Sequence, residues 1–434
     1  MYLYRNVLTA LALAGVTSLL VAPGLALADD QTPVPLTPAE LKGITPLAAV
    51  VQRNWPRWSA GNDAVTKLGL IAQIAKPEYQ GEDAAALVAL ETYLRQHPSV
   101  DLAGAMAIDD APTLTVYHKN VLKLSRAKRT LFANGQPTFE LLQQGPPGDC
   151  YFFSATGWMA RNRPREVMRA ITALEDGRFR VHFANGNEAT VTGPTDAELA
   201  INDSESTLQD GLWMSVLEKA TGTIQARTMR NSAALPDPTV AIDISGVPIA
   251  SVVSRWTGCE VKKYTLGRQA NRQLIREGLI RMHERKSLAT ALLLHRPPAK
   301  LPYDHVYAIV DFDAARNIVT LWNPWGTDFT PNGPSGPANG YERNKGVFNL
   351  TLAEFISFYS FLAIEQNWAR QTAPEPRKAI GVAELAPGFE PSQALRQRLQ
   401  AGPAPNAWRR NSSTRTVAAC EHIDYCSARG VQSA

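Results

Sequence analysis

Four residues of this 434-residue chain have the types and spacing to do chemistry together: Cys150, His305, Asn323 and Gln144. Cys150 ends the turn Gln144-Gly145-Pro146-Pro147-Gly148-Asp149 and opens the apolar run Cys150-Tyr151-Phe152-Phe153-Ser154-Ala155. That places a thiol on the first turn of a helix, where free backbone N–H groups and the helix dipole favour the thiolate. An isolated cysteine is more often an inert core residue. Here His305 opens the strand His305-Val306-Tyr307-Ala308-Ile309-Val310, and Asn323 closes the next one in Leu321-Trp322-Asn323-Pro324-Trp325-Gly326. Acyl transfer through a thiol needs a thiolate, an imidazole to ionise it and later protonate the leaving group, a polar group to orient the imidazole, and donors for the oxyanion. The chain holds a candidate for each.

These residues must be positioned by a helix and a pair of strands. Two antiparallel strands joined by a turn near Ala314 to Asn317 set the start of one beside the end of the other, within reach of an Asn–His hydrogen bond. The cysteine helix should stop at Asn162-Arg163-Pro164, with a second helix from there to about Leu174, because proline opens helices but does not continue them. Arg178 to Ala184 and Glu188 to Thr192 alternate in polarity around Asn185-Gly186-Asn187, a hairpin pattern. Gly211 to Ala220 reads as an amphipathic helix capped by Gly222. Later, Leu288 to Leu294, Val306 to Phe312, Ile318 to Trp322, Gly346 to Leu350 and Ser360 to Glu365 read as strands, with a helix from Leu352 to Phe358. The segment from Trp325 to Tyr341 is rich in Gly, Pro, Asn and Ser and should be an exposed loop.

Ahead of this core, residues 29–135 read as a helical domain or pro-segment. Its helices are expected from Thr37 to about Arg53, opened by the capping box Thr37-Pro38-Ala39-Glu40, then Asp63 to Ala75, Glu82 to Gln96 and Thr115 to Arg129. The basic cluster Lys119, Lys123, Arg126, Lys128 and Arg129 is either a solvated helix face, as such runs usually are, or a processing site. Residues 1–28 join Arg5, an apolar run and Ala26-Leu27-Ala28, the pattern of a cleaved export signal rather than a spanning anchor. The mature protein is therefore expected to be secreted or periplasmic, without stable membrane insertion. The net charge of +4 is spread along the chain, which gives no footprint for a nucleic-acid partner. Among the four cysteines, Cys420 and Cys426 are the expected disulfide in an oxidising compartment. A metal site of Cys420, His422 and Cys426 would lack a fourth ligand at any usual zinc spacing, so no metal ligand is assigned. Residues 369–434 are rich in Pro and Ala and read as a tail.

Around its chemical residues the chain resembles the papain-like calpain family of cysteine peptidases. The family's nucleophile segment, Gln-Gly-x-x-Gly-Asp-Cys and an aromatic residue, is matched by Gln144 to Tyr151; its His-Ala-Tyr strand start is paralleled by His305-Val306-Tyr307, with valine in place of alanine; and its Asn-Pro-Trp-Gly is matched by Asn323-Pro324-Trp325-Gly326. Leu212-Trp213 with Leu217-Glu218-Lys219-Ala220, Ser245-Gly246 with Thr257-Gly258, and Gly346-Val347-Phe348 are similar to further family segments. The resemblance spans about Phe139 to Gln366. It implies an α+β core over residues 136–368, with a helical half carrying Cys150 and an antiparallel sheet half carrying His305 and Asn323. It also implies Cys150 as nucleophile, His305 as general base and acid, Asn323 as its orienter, and the Gln144 side chain with the Cys150 N–H as oxyanion donors. Trp325 would shield the Asn–His pair. No cofactor is required by this chemistry. Calcium-dependent members place an acidic ligand just before the nucleophile, where this chain has Phe139-Glu140-Leu141-Leu142, with leucine at the ligand position.

The resemblance implies a secreted cysteine endopeptidase working through a thioester acyl-enzyme on protein or peptide substrates, with Cys150 and His305 an ion pair near neutral pH. Two other classes stay open on sequence: a degenerate peptidase scaffold acting as a binding protein, and another acyl transfer of transglutaminase-like or cell-wall amidase type.

Overall fold

The computed structural model describes residues 37–97, 102–103, 111–202, 204–228 and 247–366. All of them belong to one compact unit, Met1–Thr372. The expected export signal, the Ser245-Gly246 segment, the expected Cys420–Cys426 disulfide and the expected tail beyond Gln366 lie outside the described residues.

The first part is a layer of helices: α1 (Pro38–Leu41), α2 (Leu47–Trp58), α3 (Lys67–Ile74), α4 (Glu82–Gln96) and α5 (Ala111–Arg126), with the short pair β1 (Ala64–Val65) and β2 (Leu102–Ala103). The Thr37–Glu40 capping box forms, yet the single helix expected to Arg53 is two. Gly43 takes φ +89°, and Pro46 caps the second piece, so the chain turns between them. α4 is buried from Ala84 to Glu91 and forms the middle of the layer, its alanines letting neighbours approach from several sides.

The central part carries α6 (Cys150–Asn162), α7 (Pro164–Ala170), the three-stranded sheet β3 (Ile171–Ala173), β4 (Arg178–His182) and β5 (Glu188–Thr192), and the helices α8 (Asp196–Asn202), α9 (Glu205–Leu208), α10 (Trp213–Thr228) and α11 (Ile249–Thr257). The hairpin forms as expected, with Gly186 at φ +86°. The helix expected to Leu174 stops at Ala170 instead. Ile171, Thr172 and Ala173 pair with Val181, Arg180 and Phe179, because a β-branched segment beside an open strand gains more from the ladder than from another helical turn. α10 runs through Gly222 rather than ending on it.

The last part is a six-stranded antiparallel sheet in the order β10-β9-β8-β7-β11-β6, comprising β6 (Val261–Thr265), β7 (Ala289–Leu293), β8 (His305–Asp313), β9 (Ile318–Trp322), β10 (Val347–Thr351) and β11 (Phe361–Glu365). α12 (Arg272–Arg285) and α13 (Leu352–Phe358) complete it. Alternation along β8 sends Val306, Ala308 and Val310 to the core shared with α6, and Tyr307, Ile309 and Phe312 to the core on the other face. This is the α+β arrangement that the resemblance implied, a cysteine-bearing helix packed on an antiparallel sheet. No helix among the described residues is long and apolar enough to cross a membrane.

A third hydrophobic core joins parts that are far apart in sequence. It collects Leu47, Val50, Leu70, Leu87, Leu90 and Tyr117 of the helical layer with Ala197, Leu199, Ala200, Ile201 and Leu208 of α8 and α9. Every residue of α8 is buried.

Candidate active site

Cys150 is the first residue of α6, as its spacing from the glycine turn predicts. The Asp149 carbonyl accepts the N–H groups of Phe152 and Phe153 at 2.8 and 2.9 Å, which starts the helix and leaves the Cys150 N–H outside the ladder. α6 lies against β8, where the Ser154 hydroxyl donates to Val306 O at 2.8 Å. On the same helix Gly157 faces the Trp322 ring so closely that a Cβ would overlap its six-membered ring. A glycine in mid-helix costs helix stability, and here it lets the helix settle onto the strand that ends at Asn323.

Across from Cys150, His305 Nε2 lies 2.9 Å from Asn323 Oδ1. The same oxygen accepts the Trp325 N–H at 3.0 Å. Because a backbone N–H can only donate, Oδ1 is fixed as an acceptor and Nε2 must be the protonated ring nitrogen. The neutral tautomer then leaves the Nδ1 lone pair able to accept a proton. Both residues are buried, with His305 4 % and Asn323 0 % exposed. The Trp325 ring covers the imidazole at 4.7 Å between centroids and is itself half-buried. Gly346, at φ +79°, accepts the Asn323 N–H through its carbonyl at 2.9 Å and brings β10 under the turn.

Gln144 is buried beside this turn, its N–H donating to Pro324 O at 2.7 Å. Its side-chain Nε2 donates one hydrogen to Pro147 O at 2.7 Å, which leaves the second hydrogen for a ligand, while Oε1 is buried without a hydrogen bond. The structure therefore gathers all four sequence candidates at the meeting of α6 and the sheet.

The electrostatics differ from the ion pair expected on sequence. Burial pushes the Cys150 thiol up to about 12; hydrogen bonds with the Val306 and Tyr151 backbone oppose the rise, and the carboxylates of Asp149 and Asp304 add to it. Burial also brings His305 down to about 4, against the hydrogen bond that its ring donates to Asn323. Desolvation is the leading cause of both shifts, and each opposes the charged form that an ion pair would need.

Other sequence candidates fall elsewhere. Cys259 is a half-buried free thiol donating to Thr257 O at 3.4 Å. His97, His182, His283 and His295 are exposed. The basic cluster is largely the exposed face expected, with Lys119, Arg126, Lys128 and Arg129 exposed, Arg126 bridging Glu205 and Glu40 and Arg129 holding Asp196, while Lys123 is buried on Ala200 O. The loop after Trp325 folds back on itself through paired bridges at Phe329–Arg343 and Gly336–Gly340. Leu141, the residue aligned with the family's acidic calcium ligand, is half-buried at the end of a single helical turn, Phe139–Leu141, and among the described residues no three His, Cys, Asp or Glu side chains converge. Sequence reasoning missed Gly157 and Thr207. A glycine within an apolar helix was the available sign for the first; Thr207 has no local pattern.

The model of the calpain family cysteine proteases matches residues 116–335 of the chain. That span contains all four candidates. No curated protein sequence matches the chain.

Proposed function

The chain belongs to the calpain family of cysteine proteases and is a cysteine-type endopeptidase, and we propose that it cleaves protein substrates with Cys150 as nucleophile, His305 as general base and acid, and Asn323 as the orienter of His305. The observation that carries this reading is the His305–Asn323 pair at 2.9 Å, doubly fixed through Oδ1, standing over the helix that starts at Cys150.

Cys150 Sγ attacks the scissile carbonyl carbon while its proton passes to His305 Nδ1. The oxyanion is held by the Cys150 N–H and the second Nε2 hydrogen of Gln144. As the C–N bond breaks, His305 returns the proton to the leaving amine, and a thioester remains on Cys150. Water then attacks the thioester with His305 taking its proton, and the acid product leaves as the thiol is restored. Because burial disfavours the charged form of each group, proton transfer accompanies attack. Trp325 keeps water from the Asn–His hydrogen bond, which is worth more in a dry site.

Replacing Cys150 with Ala should abolish hydrolysis of casein or a fluorogenic peptide in a folded protein; persistent hydrolysis would overturn the assignment. Residues 1–28 carry an export signal by composition, which puts the substrates outside the cytoplasm. The N-terminal sequence of the recovered protein tests this, a start near Asp29 supporting it and an intact Met1 opposing it.

A further inference from the structure

Gln144 opens a turn, Gly145 to Asp149, that belongs to no helix or strand, so its position depends on bonds to other segments. One side is held by the Gln144 N–H on Pro324 O. The other side is held by Thr207 of α9. The Gln143 N–H donates to the Thr207 hydroxyl at 3.0 Å, and that hydroxyl donates to Gln143 O at 2.9 Å. One side chain thus satisfies both backbone groups of the residue before Gln144. Thr207 is 0 % exposed, and the two segments are separated by 64 residues in sequence. Between Thr207 and the 323–326 turn, Gln143 has no room to drift: a Cβ at Gly326 would meet Leu142 O at 3.1 Å and Gln143 Cγ at 3.3 Å.

α9 is a single turn of helix and is held in its own right. The Ser204 hydroxyl accepts the Thr207 N–H and donates to the Thr207 hydroxyl, both at 3.1 Å. Everything beyond that comes from the helical layer. Arg126 pairs with Glu205 at 2.9 Å, its carbonyl accepts the Gln209 side chain at 2.9 Å, and the Lys128 N–H donates to Leu208 O at 3.1 Å. One step earlier, Lys123 Nζ donates to Ala200 O, and Asp196 takes Arg129 on one oxygen and the Gly81 N–H on the other. The basic cluster of α5 is therefore a clamp on α8 and α9, and α9 hands that constraint to the glutamine turn through one hydroxyl.

We propose that Thr207 is a positioning residue for the oxyanion glutamine Gln144, and that the N-terminal helices act on catalysis through it. The inference rests on the reading of Gln144 as an oxyanion donor. Thr207→Val keeps the shape of the side chain and removes both bonds to Gln143, so the turn loses register without a large cavity. Thr207→Ser keeps the hydroxyl.

The test compares Thr207→Val and Thr207→Ser in the full chain, each with Gln144 and with Gln144→Ala, reading kcat, KM and the Ki of a peptide aldehyde, whose thiohemiacetal oxygen occupies the oxyanion position. With Gln144 present, Thr207→Val should lower kcat about tenfold and weaken aldehyde inhibition to match, with KM unchanged, and Thr207→Ser should restore both. In Gln144→Ala the valine should cost less than about twofold. An equal loss in both backgrounds, or a loss in KM alone, overturns the positioning role. An unimpaired Gln144→Ala enzyme would instead overturn the oxyanion reading, whatever Thr207 does. If the valine variant does not fold, Arg126→Ala with Glu205→Ala, both on exposed side chains, replaces it. About a two- to threefold drop in kcat confined to the Gln144 background is expected, and no drop overturns the coupling.

Discussion

The two walls of the candidate site, the strand ends and the cysteine turn, are secured in different ways. His305 and Asn323 stand at the ends of neighbouring strands, and the ladder that pairs Ala308 with Trp322 sets their separation before any side chain bonds. The facing wall, Gln144 to Cys150, is a turn whose only regular element is the helix it leads into. Its fixed points come from far away: Thr207 on one flank, Pro324 on the other, and Trp322 lodged against Gly157 beneath. A site built on a sheet register is robust to changes elsewhere, whereas a site built on a braced turn carries the fate of its braces. The helical layer therefore matters to one wall and not to the other.

That contrast breaks most visibly if the layer is removed. A chain starting at residue 130 should give no soluble, folded enzyme, since Ala197, Leu199, Ala200, Ile201 and Leu208 would lose their cover. An active truncated protein in circular dichroism and peptide assays would make the layer a removable pro-segment and end the comparison. Next in size, Gln144→Ala should lower kcat by about a hundredfold or more, as removal of an oxyanion donor does. Asn323→Ala should cost about a hundredfold in kcat by freeing the imidazole, with thermal stability little changed because the strand register survives. A large fall in Tm for Asn323→Ala would show that the sheet wall is braced as well. Gly157→Ala, which drives a Cβ into Trp322, should cost about 1–3 kcal/mol in urea unfolding and reduce kcat, since both walls meet there.

The smallest effect concerns protons. His305 has its ordinary value near 6.5 when unfolded and about 4 when folded, so the folded state binds fewer protons and stability falls as pH drops through that window. The difference in Tm between pH 7 and pH 4.5 should be smaller in His305→Gln than in the parent. An equal difference would mean the imidazole is not held neutral by burial.

How much of this was legible in the chain depends on how local each constraint is. The cysteine helix Cys150–Asn162 lies between a glycine turn and a proline, and β9 spans Ile318–Trp322, because turn residues and alternation mark both ends. The helix expected to Leu174 gave way to β3, since strand pairing with Val181 is decided by a partner the local pattern does not contain. β6, α8, α11 and α12 carried too little pattern to be marked; α8 is buried on every side and so shows no polar face. The candidate site residues were readable from motifs, but the opposed shifts of the Cys150 thiol and the His305 imidazole were not, because desolvation is a property of the assembled site.

The central claim is that Cys150, and no other thiol, attacks the substrate with His305 as its base. A peptidyl epoxide should react once per molecule, with peptide mass spectrometry placing the adduct on Cys150, activity falling in step, and His305→Ala removing most of the reaction rate. Because burial raises the Cys150 thiol, its labelling by iodoacetamide should climb with pH above neutrality rather than hold a plateau on the acid side. An adduct on Cys259, or full activity with Cys150 blocked, would contradict the account.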